Sequence, residues 1–546
     1  MCKATTKIPS NQIVRISMCK ATTKIPNNQI VWVTKQSDCV DIHALYQLRT
    51  RVVNSKYGSN LTIPNRALER INDFLQYTDF DNYPSLVNIS TSLVSVRRTK
   101  FRVGDEIIVD IVLYNGRGER ATVGGDMLRV WLRETTLKAS VAGYVIDHGN
   151  GSYTGFVKAI WAGNPELMFS IGNIKEHIGI YVNVVKRYGV LEFQRAVFKR
   201  HNVNETTSCS VVPNIPDVQK YCNFTSKNFN LPYFCGKPES LNCEDWFIYE
   251  GSGIYACNQK HESFFRNYRN LKKTVAVLNI LERVDSTQHL QDSCRDVSSR
   301  ITWHTTNPTG YFYNGLWQSS ICKSRIQWEY KHYRKCLRNR PVLLTGDSTT
   351  RNWFTPLAQL LRLKIMIEQS QIHNLRRKWH TFSKAVNANS GISLYWSPHE
   401  FPFYSNEQQT EYMRSVASRI DELPSNKSSI VILHWFAHLT RTTPKRYRDH
   451  IRSSKKAVLR LLERSPNSDI FIKGPHSFTY EKFLEPFDYV SGVYKQILYE
   501  EFRDSHDKVY FIDQWDATVG NENENVHPTF PFFNEMMLNF LFSFIC

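Results

Sequence analysis

The sequence predicts a multidomain chain in which an antiparallel β-sandwich precedes an α/β domain built on a parallel sheet. Three observations predict it. The chain has 546 residues, more than one hydrophobic core accommodates. Between residues 88 and 195, short alternating runs are separated by Gly, Asn and Asp turns. From residue 341 onward, fully apolar strand-length runs alternate with amphipathic helices, as in a parallel sheet covered on both faces.

Residues 1–40 form an atypical start, polar and basic, with no apolar stretch of the secretory-leader kind. MCKATTKIPSNQIV at 1–14 returns as MCKATTKIPNNQIV at 18–31, and two copies are too few for a solenoid. Residues 41–87 read as a helical and loop lead-in, with Pro64 opening a helix through RALERINDFLQY.

Within 88–195, IIVDIVLYN, MLRVWLRE, KASVAGYVIDHGNGSYTGFVKAIWAG and ELMFSIG supply the strands. The stretch Asp147-His148-Gly149-Asn150-Gly151-Ser152-Tyr153 resembles the turn of filamin-type repeats. That resemblance implies an immunoglobulin-like sandwich with Tyr153 at a structural corner.

Residues 196–340 read as a Cys-rich connector. Most of the twelve cysteines crowd there, none in a CxxC pair, which favours disulfides over a zinc site. Cys322 and Cys336, which enclose a basic segment, are one candidate pair. Six Asn-x-Ser/Thr sites, at Asn60, Asn88, Asn150, Asn204, Asn223 and Asn426, agree with an oxidising, glycosylating compartment. Lys and Arg exceed Asp and Glu by 69 − 50 = 19. The surplus suits acidic glycans or a diffusely basic secreted surface. No zinc finger, RNA-binding signature or basic heptad points to nucleic acid. No run is long and apolar enough for a membrane span.

In 341–546 the strands are PVLLTG, ISLYW, SIVILHW, DIFIK and VYFID. One helix starts at Thr443-Pro444 and another runs through EKFLEPFDYVSGVYKQILYEEF. Ligands of such sheets sit beyond the carboxyl ends of the strands. There Gly346-Asp347-Ser348 meets a helix start, and Ser348 is the candidate nucleophile. Asp347-Ser348-Thr349 is equally ordinary helix-cap chemistry. Arg351 and Asn352 follow on the same helical face, and with Asp347 they are the oxyanion or substrate candidates. Past the last strand comes Val526-His527-Pro528. A serine hydroxyl attacks only when an imidazole takes its proton and an acid orients that imidazole. His527 is the candidate base, and Glu524, three residues earlier, the candidate acid. His304, His399, His434 and His476 take structural roles.

LLTGDSTTRNW (343–353), FAHLT (436–440), LLERSP (461–466), and DQWDATV with NVHP (513–528) resemble the neurexophilin and PC-esterase domain family over most of the chain. The resemblance implies a neurexophilin-like sandwich followed by an SGNH/GDSL-type esterase-like domain in the secretory pathway, Golgi or extracellular. It also implies O-acetyl esterase or O-acetyltransferase chemistry on a glycan or glycoprotein, with acetyl-CoA or another acyl donor for a transferase and no further cofactor or metal. Ser348 and His527 fall on the family's nucleophile and base positions. The sequence departs in two ways. Glu524 stands where an aspartate is usual, which leaves Asp513 or Asp516 as alternative orienting acids. No GxND block is present, and His438 occupies its place as a substrate candidate. The rival expectation is a secreted ligand of a cell-surface receptor that keeps the esterase fold as a scaffold.

Overall fold

The computed structural model describes the backbone at 4–8 and 12–16, and residues 83–256, 272–283, 292–304, 307–367, 381–387, 391–404, 408–478, 485–528 and 530–546. Met1–Gln47 and Leu48–Cys546 are two compact units. In the first, Ala4–Ile8 pairs antiparallel with Gln12–Ile16, a pairing that starts in the first copy of the duplicated segment and runs just past its end. The second copy, the helix expected after Pro64 and the Asn60 site lie outside the described residues.

The second unit is multidomain in composition, with several sheets and, among the described residues, fewer helices than strands. A four-stranded antiparallel sheet joins Leu93–Val96, Glu106–Val112, Ser152–Lys158 and Tyr144–Asp147 in that order. Alternation along Glu106–Val112 sends Ile107, Val109 and Ile111 into the core. They share that core with Val130, Leu132, Leu167 and Phe169 of a six-stranded antiparallel sheet. Tyr153 is buried there, and its hydroxyl donates to Asp126 Oδ2 at 2.9 Å.

The stretch expected to be an irregular connector contributes strands of its own. Lys272–Val277, Gly310–Tyr313 and Leu316–Ser319 complete the six-stranded sheet just described. Val203–Ser210, Tyr221–Asn223, Phe234–Gly236 and Trp246–Tyr255 build another with Glu192–Arg200. Short strands carrying several cysteines and polar residues hide the period-2 signal, so the sequence read as irregular. Cys209–Cys235 and Cys222–Cys243 pin this sheet. The proposed Cys322–Cys336 pair is replaced by Cys294–Cys322 and Cys336–Cys546. Cys336 rides on the helix Tyr330–Leu337, which intervenes after Cys322 and carries it to the chain's last residue.

All five strands expected after residue 341 form, at Pro341–Thr345, Ile392–Ser397, Ile430–Leu433, Asp469–Lys473 and Val509–Ile512. They are mutually parallel, with Pro341–Thr345 between Ile392–Ser397 and Ile430–Leu433. The sheet as a whole is mixed. Ser383–Asn387 and Lys364–Ile367 extend it antiparallel beyond Ile392–Ser397, a common arrangement at the edge of such sheets. Val342 and Leu344 pack with Phe354, Leu357 and Leu538 of the helices Ser348–Leu360 and Phe533–Phe542. Leu343, Val431 and Ile472 pack with Tyr447, Val458 and Tyr494 of Pro444–Arg464 and Phe487–Glu501. Helices on both faces explain why these strands carry no polar alternation.

Candidate active site

The central strand ends in Gly346, whose φ of +150° suits a residue without Cβ. A Cβ there would stand 2.3 Å from the backbone oxygen of His434. Gly346→Ala is therefore expected to cost about 2 kcal/mol or more and to displace the following turn. A thermal melt and the labelling of Ser348 by a serine-reactive probe check both effects.

Asp347 caps the helix Ser348–Leu360. Its Oδ1 accepts from Thr349 N at 2.9 Å and Thr349 Oγ1 at 2.7 Å, and its Oδ2 accepts from Ala437 N at 2.7 Å. Burial opposes ionisation of this carboxyl, but His434, His438, Lys473 and the Thr349 hydrogen bond together hold it well below the carboxylate range. An ionised carboxylate only accepts hydrogen bonds, so Asp347 shapes the turn and is no donor to an oxyanion.

Ser348 opens the helix, and its Oγ lies 2.6 Å from His527 Nε2. The two residues are 179 positions apart, brought together over the carboxyl edge of the sheet. The His527 loop is tied down from several sides. His527 N donates to Asn525 Oδ1 at 3.0 Å, and Asn523 Nδ2 donates to the oxygens of Ser477 and Asn525 at 2.9 and 2.8 Å. His476 Nε2 donates to Val526 O at 2.8 Å. Burial, then Arg351 and Lys473 against the opposing pull of Asp347, shift the His527 imidazole below its usual pKa. That shift favours the neutral imidazole, and in the tautomer protonated on Nδ1 its Nε2 accepts from the hydroxyl.

The other candidates are placed as follows. Glu524 is 73% exposed in its side chain and faces Lys272 at 3.8 Å. Asp513 Oδ1 accepts from Trp515 N at 3.0 Å, and its Oδ2 pairs with Lys495. Asp516 Oδ2 accepts from Thr309 N and Oγ1 at 2.6 and 3.0 Å. Among the described residues, no carboxylate forms an ion pair or hydrogen bond with the His527 ring. Glu524 is turned outward between two held residues, Asn523 and Asn525. Arg351 lies over the Trp396 ring at 5.7 Å, and burial lowers its pKa. Asn352 stands one turn beyond Ser348. His438 is buried, with Nδ1 3.0 Å from His399 Nε2.

Sequence reasoning missed Lys473 and the Thr349 hydroxyl. Lys473 ends the strand Asp469–Lys473, is only 2% exposed, and donates to Thr349 O and Oγ1 at 3.0 and 2.8 Å. A lysine closing an otherwise buried apolar strand, at the carboxyl edge where ligands bind, was the available signal. Beside the His527 loop, a cleft of about 210 Å³ is lined by Thr518, Asn521, Glu524, Pro528 and Phe530 among others. Among the described residues, no cluster of three or more His, Cys, Asp or Glu is arranged to hold a metal.

A turn that presents a serine at a helix start, against an imidazole from a distant loop, defines a serine–histidine site on a mixed α/β sheet. Residues 317–546 match the family model for the NXPE family member 4-like, C-terminal domain. Residues 82–261 match the model for Neurexophilin. The chain belongs to the neurexophilin and PC-esterase domain (NXPE) family.

Proposed function

We propose that the chain is a secretory-pathway acyl-ester enzyme acting on glycan O-acyl groups, as esterase or O-acetyltransferase. In this reading the seven-stranded sheet is an SGNH/GDSL-type domain, and the two antiparallel sheets with a common core are a neurexophilin-like, immunoglobulin-like sandwich. The observation that carries the proposal is the 2.6 Å approach of Ser348 Oγ to His527 Nε2. It has the geometry that base-assisted attack requires.

The Ser348 oxygen attacks the acyl carbonyl carbon while His527 Nε2 takes the hydroxyl proton. The carbonyl oxygen becomes an oxyanion at the helix start, where the first-turn amides and the helix dipole favour negative charge. Thr349 N is already held by Asp347, so Ser348's own N–H and the Asn352 side chain are the assigned donors. The C–O bond to the leaving alkoxide then breaks, and His527 returns the proton to that oxygen. Attack on the resulting Ser348 ester by water gives hydrolysis, and attack by a sugar hydroxyl gives transfer, with His527 again accepting the proton.

The four disulfides among the described residues and the family support the secretory pathway. Among the described residues, no helix is long and apolar enough to cross a membrane. The basic surplus supports an acidic glycan as substrate. One observation favours a second reading, a receptor-binding protein with a degenerate site: Glu524 faces Lys272 rather than the His527 ring. Incubation with an O-acetylated glycan, or with an acyl donor plus a free glycan, separates the readings. Acetate release or transfer that is lost in Ser348→Ala supports the enzyme. Inertness of the wild type toward both, together with saturable binding to cells, supports the receptor ligand.

Because only neutral His527 accepts a proton, acylation is expected to rise with pH as that group deprotonates. Burial lowers its pKa, so the acid-side midpoint is expected below the roughly 6.5 of a free imidazole. A rate–pH profile with a midpoint above that value would contradict the assignment.

A further inference from the structure

We propose that Lys473 is a positioning residue of the acyl site: from behind the nucleophile it locks the Asp347–Ser348–Thr349 turn and sets its nitrogen beneath that turn. The proposal rests on the serine–histidine reading above and deepens it. A buried lysine needs hydrogen-bond partners and a nearby counter-charge, and Lys473 finds both on the two residues flanking Ser348. Its Nζ donates to Thr349 O at 3.0 Å and Thr349 Oγ1 at 2.8 Å. A threonine hydroxyl has one proton, and since Oγ1 accepts from Lys473, that proton goes to Asp347 Oδ1 at 2.7 Å. The result is a directed line, ammonium to hydroxyl to carboxylate, running beneath the nucleophile. Ala437 N fixes the far carboxylate oxygen at 2.7 Å.

The lysine's other neighbours leave it little freedom. Its carbonyl accepts from His434 Nδ1 at 2.7 Å, and its Nζ lies 4.7 Å from the Trp353 ring centre. The titratable and charged groups that face this cluster are Asp347 on the nucleophile turn, Arg351 on its helix, His434 and His438 after the next strand, His476 past Lys473 itself, and His527. Asp347 is the only anion among them, and it does not offset desolvation, so burial brings Lys473 down to about 7. The protonated lysine pulls the His527 imidazole toward its neutral form, in the same direction as burial. Lys473 and Arg351 thereby act against Asp347, whose carboxylate favours the charged ring. Both nitrogen–oxygen contacts to Thr349 survive deprotonation, since an amine retains two N–H donors; only the charge changes.

The test uses fluorophosphonate capture of the full-length protein across pH 4–9, with a melt of each variant. Lys473→Met is expected to slow capture by about tenfold to a hundredfold and to move the acid-side midpoint upward. Thr349→Val, which breaks the hydroxyl link but keeps the ammonium, is expected to slow capture without moving the midpoint. Lys473→Arg is expected to keep the low midpoint, and it carries the test should Lys473→Met fail to melt cooperatively. Capture by Lys473→Met at the wild-type rate and midpoint, or an upward midpoint in Lys473→Arg, would overturn the proposal while leaving the serine–histidine reading intact. Absence of capture by the wild type would overturn both.

Discussion

Replacing His527 by alanine is expected to reduce acyl transfer from Ser348 by about 10⁴-fold or more. The Ser348 hydroxyl is no nucleophile at neutral pH without a base, and His527 Nε2, at 2.6 Å, is the group in contact with it. Substrate binding is expected to survive, so the loss should fall on kcat and leave KM within a few-fold. Single-turnover kinetics of an acetyl ester read this split. Glu524→Gln is the matching control. Because Glu524 faces Lys272 and solvent, its neutralisation is expected to leave kcat within about threefold, against the much larger loss that an orienting triad acid shows. A large loss in Glu524→Gln would mean that the loop rearranges during turnover and that the acid acts after all.

The largest stability effect is expected at Arg129, on the strand Met127–Glu134. Its guanidinium holds Asp488 in a fork, with Nε–Oδ2 at 2.5 Å and Nη2–Oδ1 at 2.6 Å, both partners being buried. Asp488 sits in the first turn of the helix Phe487–Glu501, and Asn173 Oδ1 accepts from the amides of Asp488 and Tyr489 at 3.0 and 3.3 Å. Two neighbouring antiparallel strands thus clamp one helix start of the sheet domain. Arg129→Ala leaves a buried carboxylate without its charge partner and is expected to cost about 3–5 kcal/mol. The double variant Arg129→Ala with Asp488→Asn is expected to be less destabilised than the two single effects added, because the pair is coupled. Urea melts of the three proteins measure this. The effect also reaches the active site. Ser477 Oγ donates to Asp488 Oδ1 at 3.1 Å, and Ser477 O accepts from Asn523, which holds Asn525 and so His527. Arg129→Ala is therefore expected to slow capture of Ser348 even where the protein remains folded.

Much of this architecture was legible because some signals are local. Fully apolar runs such as Leu343-Leu344 and Ile430–Leu433 announce strands buried on both faces, and Thr443-Pro444 announces a helix start. The approach of Ser348 to His527 was legible too, since chain order places one after the first sheet strand and the other after the last. What stayed hidden is set by tertiary contacts. The strands Lys364–Ile367 and Ser383–Asn387 are only four and five residues long and pair antiparallel outside the βα alternation, so neither gives the pattern that announces sheet. The Cys-rich stretch carries strands whose pairing comes from distant partners, as Trp246–Tyr255 with Glu192–Arg200 and Lys272–Val277 with Glu166–Asn173. The orientation of Glu524 depends on the neighbouring asparagines and on Lys272, and spacing from His527 carries no information about either. Lys473 was visible as a residue but not as a contact, because its meaning comes from Thr349, 124 positions away.

The central claim is that Ser348 is an activated nucleophile. Fluorophosphonate treatment of the purified full-length protein, followed by peptide mass mapping, tests it most directly. The account predicts one covalent adduct, on the Gly346–Asn352 turn at Ser348, lost in Ser348→Ala and nearly lost in His527→Ala. An unmodified wild-type protein, or an adduct on a serine remote from His527, would contradict it.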